Sequence, residues 1–253
     1  MFKHRISVLV AVGCLTLAGC SGGQSSVAGV QEPAGEQDVS SRQQTDLAPS
    51  PSVALPTRGA VGEIPNTQQL RELLLQPGEA AGVPDPQYGV RDMHRSELRP
   101  LPTKPSPAPC PTMWGLLNQK GAKAAVSQTF EAVEPGSPSI TFLASHSATG
   151  AAATFARLRT AVAACPMDDS ADRKATVRYE DLDAKGFPKD TIRIRMTFTE
   201  EGSGKPADVI DRIVSRVGVC IVSMLGMGPE PYPRLSEGSV LRQIERLQAA
   251  QGL

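Results

Sequence analysis

Five cysteines and three histidines are the side chains of this sequence best suited to chemistry. Cys20 stands apart from the rest. It follows Leu17-Ala18-Gly19, behind a basic start (Lys3, His4, Arg5) and an apolar run from Ile6 to Ala18 that contains Cys14. The run is roughly 13 residues, about 20 Å as a helix, too short for a ~30 Å hydrocarbon core. A short apolar stretch between positive charge and small residues reads as the core of an export signal rather than a membrane span. The small residues at 18 and 19 allow an extended chain to enter a peptidase cleft, leaving the Cys20 thiol at the cut. The other candidates are weaker. His94 and His146 have no Cys or His at metal-ligand spacing, so no metal site is expected. His146, between Ser145 and Ser147, joins a nucleophilic triad only if a distant acid reaches it.

Longer motifs fail on particular residues. Asp181-Leu182-Asp183-Ala184-Lys185-Gly186 begins like a calcium loop, but Lys185 and Ile192 stand where acidic ligands are needed. Gly204-Lys205 resembles the end of a phosphate loop, yet Thr199 replaces the first glycine and Pro206 follows the lysine. No Gly-x-Ser-x-Gly and no Ser-x-x-Lys occurs, which removes the commonest serine-nucleophile signatures. Asp168, Asp169 and Asp172 read as a solvated loop rather than a cation site. No cofactor and no catalytic residue are expected.

The Leu17 to Cys20 box resembles a bacterial lipoprotein signal. That resemblance implies loss of residues 1–19, diacylglycerol on the Cys20 sulfur and acylation of the new amino terminus. Two acyl chains anchor a protein durably where one does so marginally. The expected location is the extracytoplasmic face of the cell membrane, with the membrane a partner through Cys20. Such a compartment permits disulfides. The mature chain then holds Cys110, Cys165 and Cys220. Cys110 begins the globular part and Cys165 ends a core helix, so a Cys110–Cys165 bridge is expected. Another pairing, or none, stays open. Cys220, among Val219, Ile221 and Val222, reads as a small buried hydrophobe.

Lys plus Arg and Asp plus Glu both number 26, a net charge of zero that gives no footprint for nucleic acid. Aromatics are only 4%, with one tryptophan, Trp114, which argues against stacking platforms for bases or sugars. Residues 20–62 are Ser, Gln, Gly, Pro, Ala and Glu with scarcely an apolar cluster. They bury too little to offset their ordering entropy and read as a disordered tether. About 42 such residues reach a root-mean-square ~35 Å. The domain proper is expected over 63–253, including a proline-rich arm at 99–111 that should be extended.

Elements follow from periodicity. A short helix is expected from Asn66 or Thr67 to Leu75, closed by Gln76-Pro77-Gly78. Ala125 to Val133 and Ser139 to Ser145 read as strands around a Pro-Gly turn. Ala151, Phe155, Leu158, Val162 and Cys165 make one helical face ending at Pro166. Thr176 to Asp181 reads as a strand. Asp190 to Glu200 alternates strictly, with Ile192, Ile194, Met196 and Phe198 opposite Arg193, Arg195, Thr197 and Thr199. Val209 to Leu225 is too long for one strand and should turn near Gly218. A last helix runs from Ser236 or Ser239 to about Ala250, with Val240, Ile244 and Leu247 inward. Strands in succession, with few helices between them, predict an α+β fold: an antiparallel sheet flanked by helices, one globular domain behind the tether.

Several stretches resemble actinobacterial lipoproteins related to the extracellular sensor domain of PknH-type receptor kinases. They are Leu73-Leu74-Leu75-Gln76-Pro77-Gly78-Glu79; Cys110-Pro111 followed by Trp114; Phe155 to Val162 leading to Cys165-Pro166; and Ile213 to Gly218. The resemblance covers roughly Glu63 to Leu253. It implies an antiparallel sheet with flanking helices and a cleft for a small ligand. Arg193 and Arg195, on the wetter face, are the candidate cleft residues, favouring a polar or anionic ligand. Nothing kinase-like is present. The expected function is a non-enzymatic, lipid-anchored domain that binds or senses a small polar ligand. The alternatives are an interaction lipoprotein that docks another envelope protein and an envelope hydrolase with an unrecognised site.

Overall fold

The computed structural model describes residues 63–76, 79, 89–101, 108–131, 138–170, 175–200, 202, 206–228 and 235–253. All of them belong to the unit that spans Ser52–Leu253. Cys20, the export signal, the tether and residues 102–107 of the proline-rich arm lie outside the described residues. The elements run α1 (Thr67–Leu73), β1 (Val90–Asp92), α2 (Pro109–Leu117), β2 (Ala124–Glu131), β3 (Pro138–Ser145), α3 (Gly150–Ala163), β4 (Met167–Ser170), β5 (Ala175–Leu182), β6 (Thr191–Glu200), β7 (Pro206–Val217), β8 (Cys220–Gly228) and α4 (Glu237–Gln251). Eight strands form one sheet in the order β1-β2-β3-β8-β7-β6-β5-β4, every neighbour antiparallel. The fold is α+β, as the run of consecutive strands predicts.

The sheet carries a separate apolar core on each face. On one face α1 and α4 cover Val126, Leu143, Ile213, Val222 and Met224. On the other, α2 and α3 cover Ile192, Ile194, Met196, Ile210, Val214 and Leu225. Alternation makes this possible, because residues two apart on a strand share a face and neighbours do not. Ile213 and Val214 therefore enter opposite cores.

The helix ends are chemically defined. Asn66 caps α1 with a full capping box: its side chain accepts from Gln69 N at 3.0 Å, and Gln69 Oε1 accepts from Asn66 N at 2.8 Å. Ser236 caps α4 at one end, and Gly252, in the left-handed region at φ +68°, closes the other. Polar residues of α4 fasten what surrounds it. Gln243 donates to Leu73 O at 2.8 Å and accepts from Leu75 N at 3.2 Å. Arg246, itself buried, donates to Glu72 O and Leu73 O and pairs with Glu79 at 2.7 Å. Gln251 accepts from Val219 N and donates to Val217 O, both at 2.9 Å, clasping the β7–β8 turn. Gly218 takes φ +54° in that two-residue turn, and a Cβ there would meet Gln251 Oε1 at 2.2 Å.

Three segments differ from expectation. Pro109–Leu117 is a helix, whereas the arm through 111 reads as extended. Pro109 occupies the first helical position, where a missing N–H costs nothing because that group has no partner inside the helix. Asp168 and Asp169 lie in β4 rather than in a solvated loop, paired with Val177 and Thr176 of β5. Val90–Asp92 adds an edge strand against β2 that no periodicity announces. Among the described residues no helix is long and apolar enough to cross a membrane.

Candidate ligand-binding site

Helix α2 is held against the sheet from both ends. Cys110, in its first turn, is bonded to Cys165, which follows α3. At its carboxyl end Asn118 closes the last turn, and Gln119, buried at φ +62°, bends the chain away. Between these ends Trp114 donates its indole N–H to Tyr179 Oη at 2.8 Å, with the rings edge to face at 6.1 Å. Burial pushes the Tyr179 phenol up to about 12, so it stays neutral at physiological pH.

Under α2 the sheet leaves a cleft of about 280 Å³. Its floor is a patch built by register. Val177 pairs with Phe198, Met196 with Ile210, Ile210 with Met227, and Arg212 with Leu225. Phe142 of β3 extends the floor, Trp114 and Asn118 form the wall, and Asp168 of β4 lies at the rim, half-buried. The lining is mostly apolar, with a few convergent polar groups, the usual make-up of a small-molecule site.

Arg212 is the unusual member. Only 2% of it is exposed. Its Nε donates to Ser223 Oγ at 2.7 Å, Nη2 donates to Leu117 O, and its guanidinium lies 5.4 Å from the centre of the Phe142 ring. Leu117 O belongs to the carboxyl end of α2, where aligned peptide dipoles favour a cation. These partners are all neutral. Among the described residues no carboxylate pairs with Arg212, and burial lowers its pKa to about 9, which leaves it charged at neutral pH. A buried ion without a counter-charge costs several kcal/mol.

A second, shallower groove of about 380 Å³ lies between α2 and α3, lined by Pro109, Thr112, Arg157, Thr160 and three alanines. It contains no buried polar group and has no comparable means of orienting a ligand.

Arg193 and Arg195 lie on the opposite face of the sheet, on the side of α4. Arg193 donates to Glu237 Oε1 at 2.8 Å, and its Nε is buried with no partner. Arg195 grips Asp211 through two bonds, 2.8 and 3.0 Å, across the β6–β7 register. Both cations are thus engaged by carboxylates, and neither lines the cleft under α2. Cys110 and Cys165 form the disulfide, and Cys220 is a buried free thiol whose pKa burial pushes up to about 12. His146 is buried, its Nε2 has no partner, and neither has the buried Oγ of Ser145. Burial brings the imidazole down to about 4, against a hydrogen bond to the Gly121 backbone that raises it. The base and hydroxyl of a triad are therefore not joined. Among the described residues no three His, Cys, Asp or Glu side chains gather as a metal site.

No protein-family model matches the chain, and no curated protein matches it. Among solved structures it is similar to the extracellular domain of PknH from Mycobacterium tuberculosis. The TM-score is 0.47 and the identity 13%, over 76% of this chain and 100% of that chain. PknH is the kinase named in the resemblance drawn from the sequence. At such an identity no residue role is carried over from it.

Sequence reasoning did not single out Arg212, because β7 places charges at both parities: Asp211 on one face, Asp208, Arg212 and Arg216 on the other. The available signal was its parity with Ile210 and Val214, on the face that also takes Met196. A cation between two apolar inward positions marks a candidate site.

Proposed function

We propose that this chain is a lipid-anchored extracytoplasmic domain that binds a small molecule in the cleft under α2 and acts as a sensing or binding module rather than as a catalyst. The observation that carries this reading is the cleft: about 280 Å³, floored by five strands and walled by a helix that is covalently tied to its neighbour. At the ~30 Å³ that a water occupies in the liquid, this is room for about nine non-hydrogen atoms. A rigid floor fixes where the polar groups stand, so little ordering cost falls on binding. The disulfide fits an oxidising compartment, and the Leu17 to Cys20 box supports the anchor. Docking of another protein is less well supported. The large apolar side chains that are exposed among the described residues, Ile64, Met167 and Leu253, sit on three separate segments and form no continuous stripe in sequence.

Native mass spectrometry of the chain purified from its own membranes tests the reading. The expected result is a bound small molecule that denaturation releases. A chain that carries no adduct, and whose Trp114 fluorescence does not respond to any member of a metabolite panel, contradicts it. The anchor has its own test. Cys20→Ala should abolish palmitate incorporation and membrane attachment, and labelling that persists in this variant contradicts the lipoprotein assignment.

A further inference from the structure

Resting on that reading, we propose that the cleft selects an apolar molecule bearing one carboxylate, which docks on the guanidinium of Arg212. The argument begins with an imbalance. Arg212 lines the cleft, is 2% exposed and has only neutral partners among the described residues. A guanidinium carries five N–H donors in a planar fork. Ser223 Oγ and Leu117 O use one each, leaving three. A carboxylate matches the fork in shape and takes two parallel hydrogen bonds from it. It also supplies the counter-charge that the helix end replaces only in part.

A structural role alone explains the observations less well. To close the end of α2 requires one donor, which an amide side chain also provides, as Gln119 Nε2 does at 3.2 Å to the same Leu117 O. A buried permanent charge is an expensive way to make that bond. The remaining lining fixes the rest of the ligand. Met196, Phe198, Ile210, Leu225 and Met227 offer it no hydrogen bonds and accept an aliphatic or aromatic body. Asp168 at the rim opposes a second negative charge, so a monocarboxylate is favoured over a dicarboxylate or a phosphate monoester. The cleft's volume sets the size at about that of octanoate.

Trp114 is the only tryptophan of the chain and forms the cleft wall, so its emission reports occupancy. The purified mature chain is titrated at pH 7 with octanoate, 1-octanol and octanedioate. Octanoate is expected to bind about tenfold or more tighter than 1-octanol, the difference that a charge-assisted hydrogen bond makes. In Arg212→Met that preference should vanish. Equal affinity of the two in the wild-type chain overturns the charge assignment and leaves the cleft reading standing. No response to any of the three overturns both. The wild-type comparison decides the matter even if Arg212→Met does not fold. Asp168→Asn adds an independent check: octanedioate should gain affinity several-fold relative to octanoate, and an unchanged ratio refutes the role given to Asp168.

Discussion

Removing the Cys110–Cys165 bridge should weaken the domain by an amount that the structure specifies. The two cysteines are 55 residues apart. Closing a loop of that length restrains the unfolded chain by about 4 kcal/mol in the chain-entropy treatment. The loop contains most of α2 and all of β2, β3 and α3, so the constraint acts on the β2–β3 pairing and on the cleft wall together. In Cys110→Ala/Cys165→Ala, loss of the buried Cys165 sulfur adds about 1 kcal/mol for the space left behind. For a domain of this size each kcal/mol lowers the melting temperature by roughly 2–4 °C. Reduction should therefore cost about 8–16 °C, and the double variant slightly more. Calorimetry with and without reductant, alongside urea unfolding, measures both. Trp114 adds a local readout. It lies on the same helix as Cys110 and is bonded to Tyr179 of β5, so a loosened wall should shift its emission to the red before global unfolding. A loss under about 1 kcal/mol on reduction would refute the reasoning, because the loop contribution cannot then be the main effect of the bridge.

Two further outcomes follow from buried charge. Glu79→Gln leaves Arg246 buried without its counter-ion but still bonded to Glu72 O and Leu73 O, so the expected cost is about 2–3 kcal/mol, below the full penalty of a broken buried pair; Glu79→Met/Arg246→Met should recover much of it in urea unfolding, and a double variant weaker than the single one contradicts this account. His146 titrates near 4 when folded against an ordinary 6.5, so the unfolded chain binds its proton first. The stability involved is complete above pH 6.5 and is lost as pH falls toward 4, by up to ~3 kcal/mol, and a urea midpoint of His146→Gln with the same slope as wild type across that window would show that another group is responsible.

The elements legible from the sequence were those whose local pattern and tertiary role agree. β6 alternates because each of its faces meets a different environment, and Ile192, Ile194, Met196 and Phe198 all enter the α2–α3 core. The break at Gly218 was legible because so long a strand exceeds the usual length and glycine enters the left-handed turn without steric cost. The α2 helix was hidden because Pro109 and Pro111 read as extended everywhere except in a helix's first turn, and what selects that turn is the bond from Cys110 to the end of α3. β4 was hidden because its acids suit a loop, and only pairing with β5 makes them a strand. The parity of Arg193 and Arg195 was read correctly, but the carboxylates that face them come from other elements, Glu237 of α4 and Asp211 of β7, and only the tertiary fold brings them there. The cleft was the least legible feature. It needs α2, β3 and β4 through β8 in their final register, and no segment of the chain contains it.

Amide and side-chain chemical-shift mapping of the mature chain with octanoate tests the central claim most directly. The account predicts that shifts concentrate on the Trp114 indole, Ile210, Arg212, Leu225 and Met227, with Arg193, Arg195 and Glu237 unmoved. Shifts confined to the Arg193–Arg195 face, or absent from both faces at millimolar ligand, would contradict it.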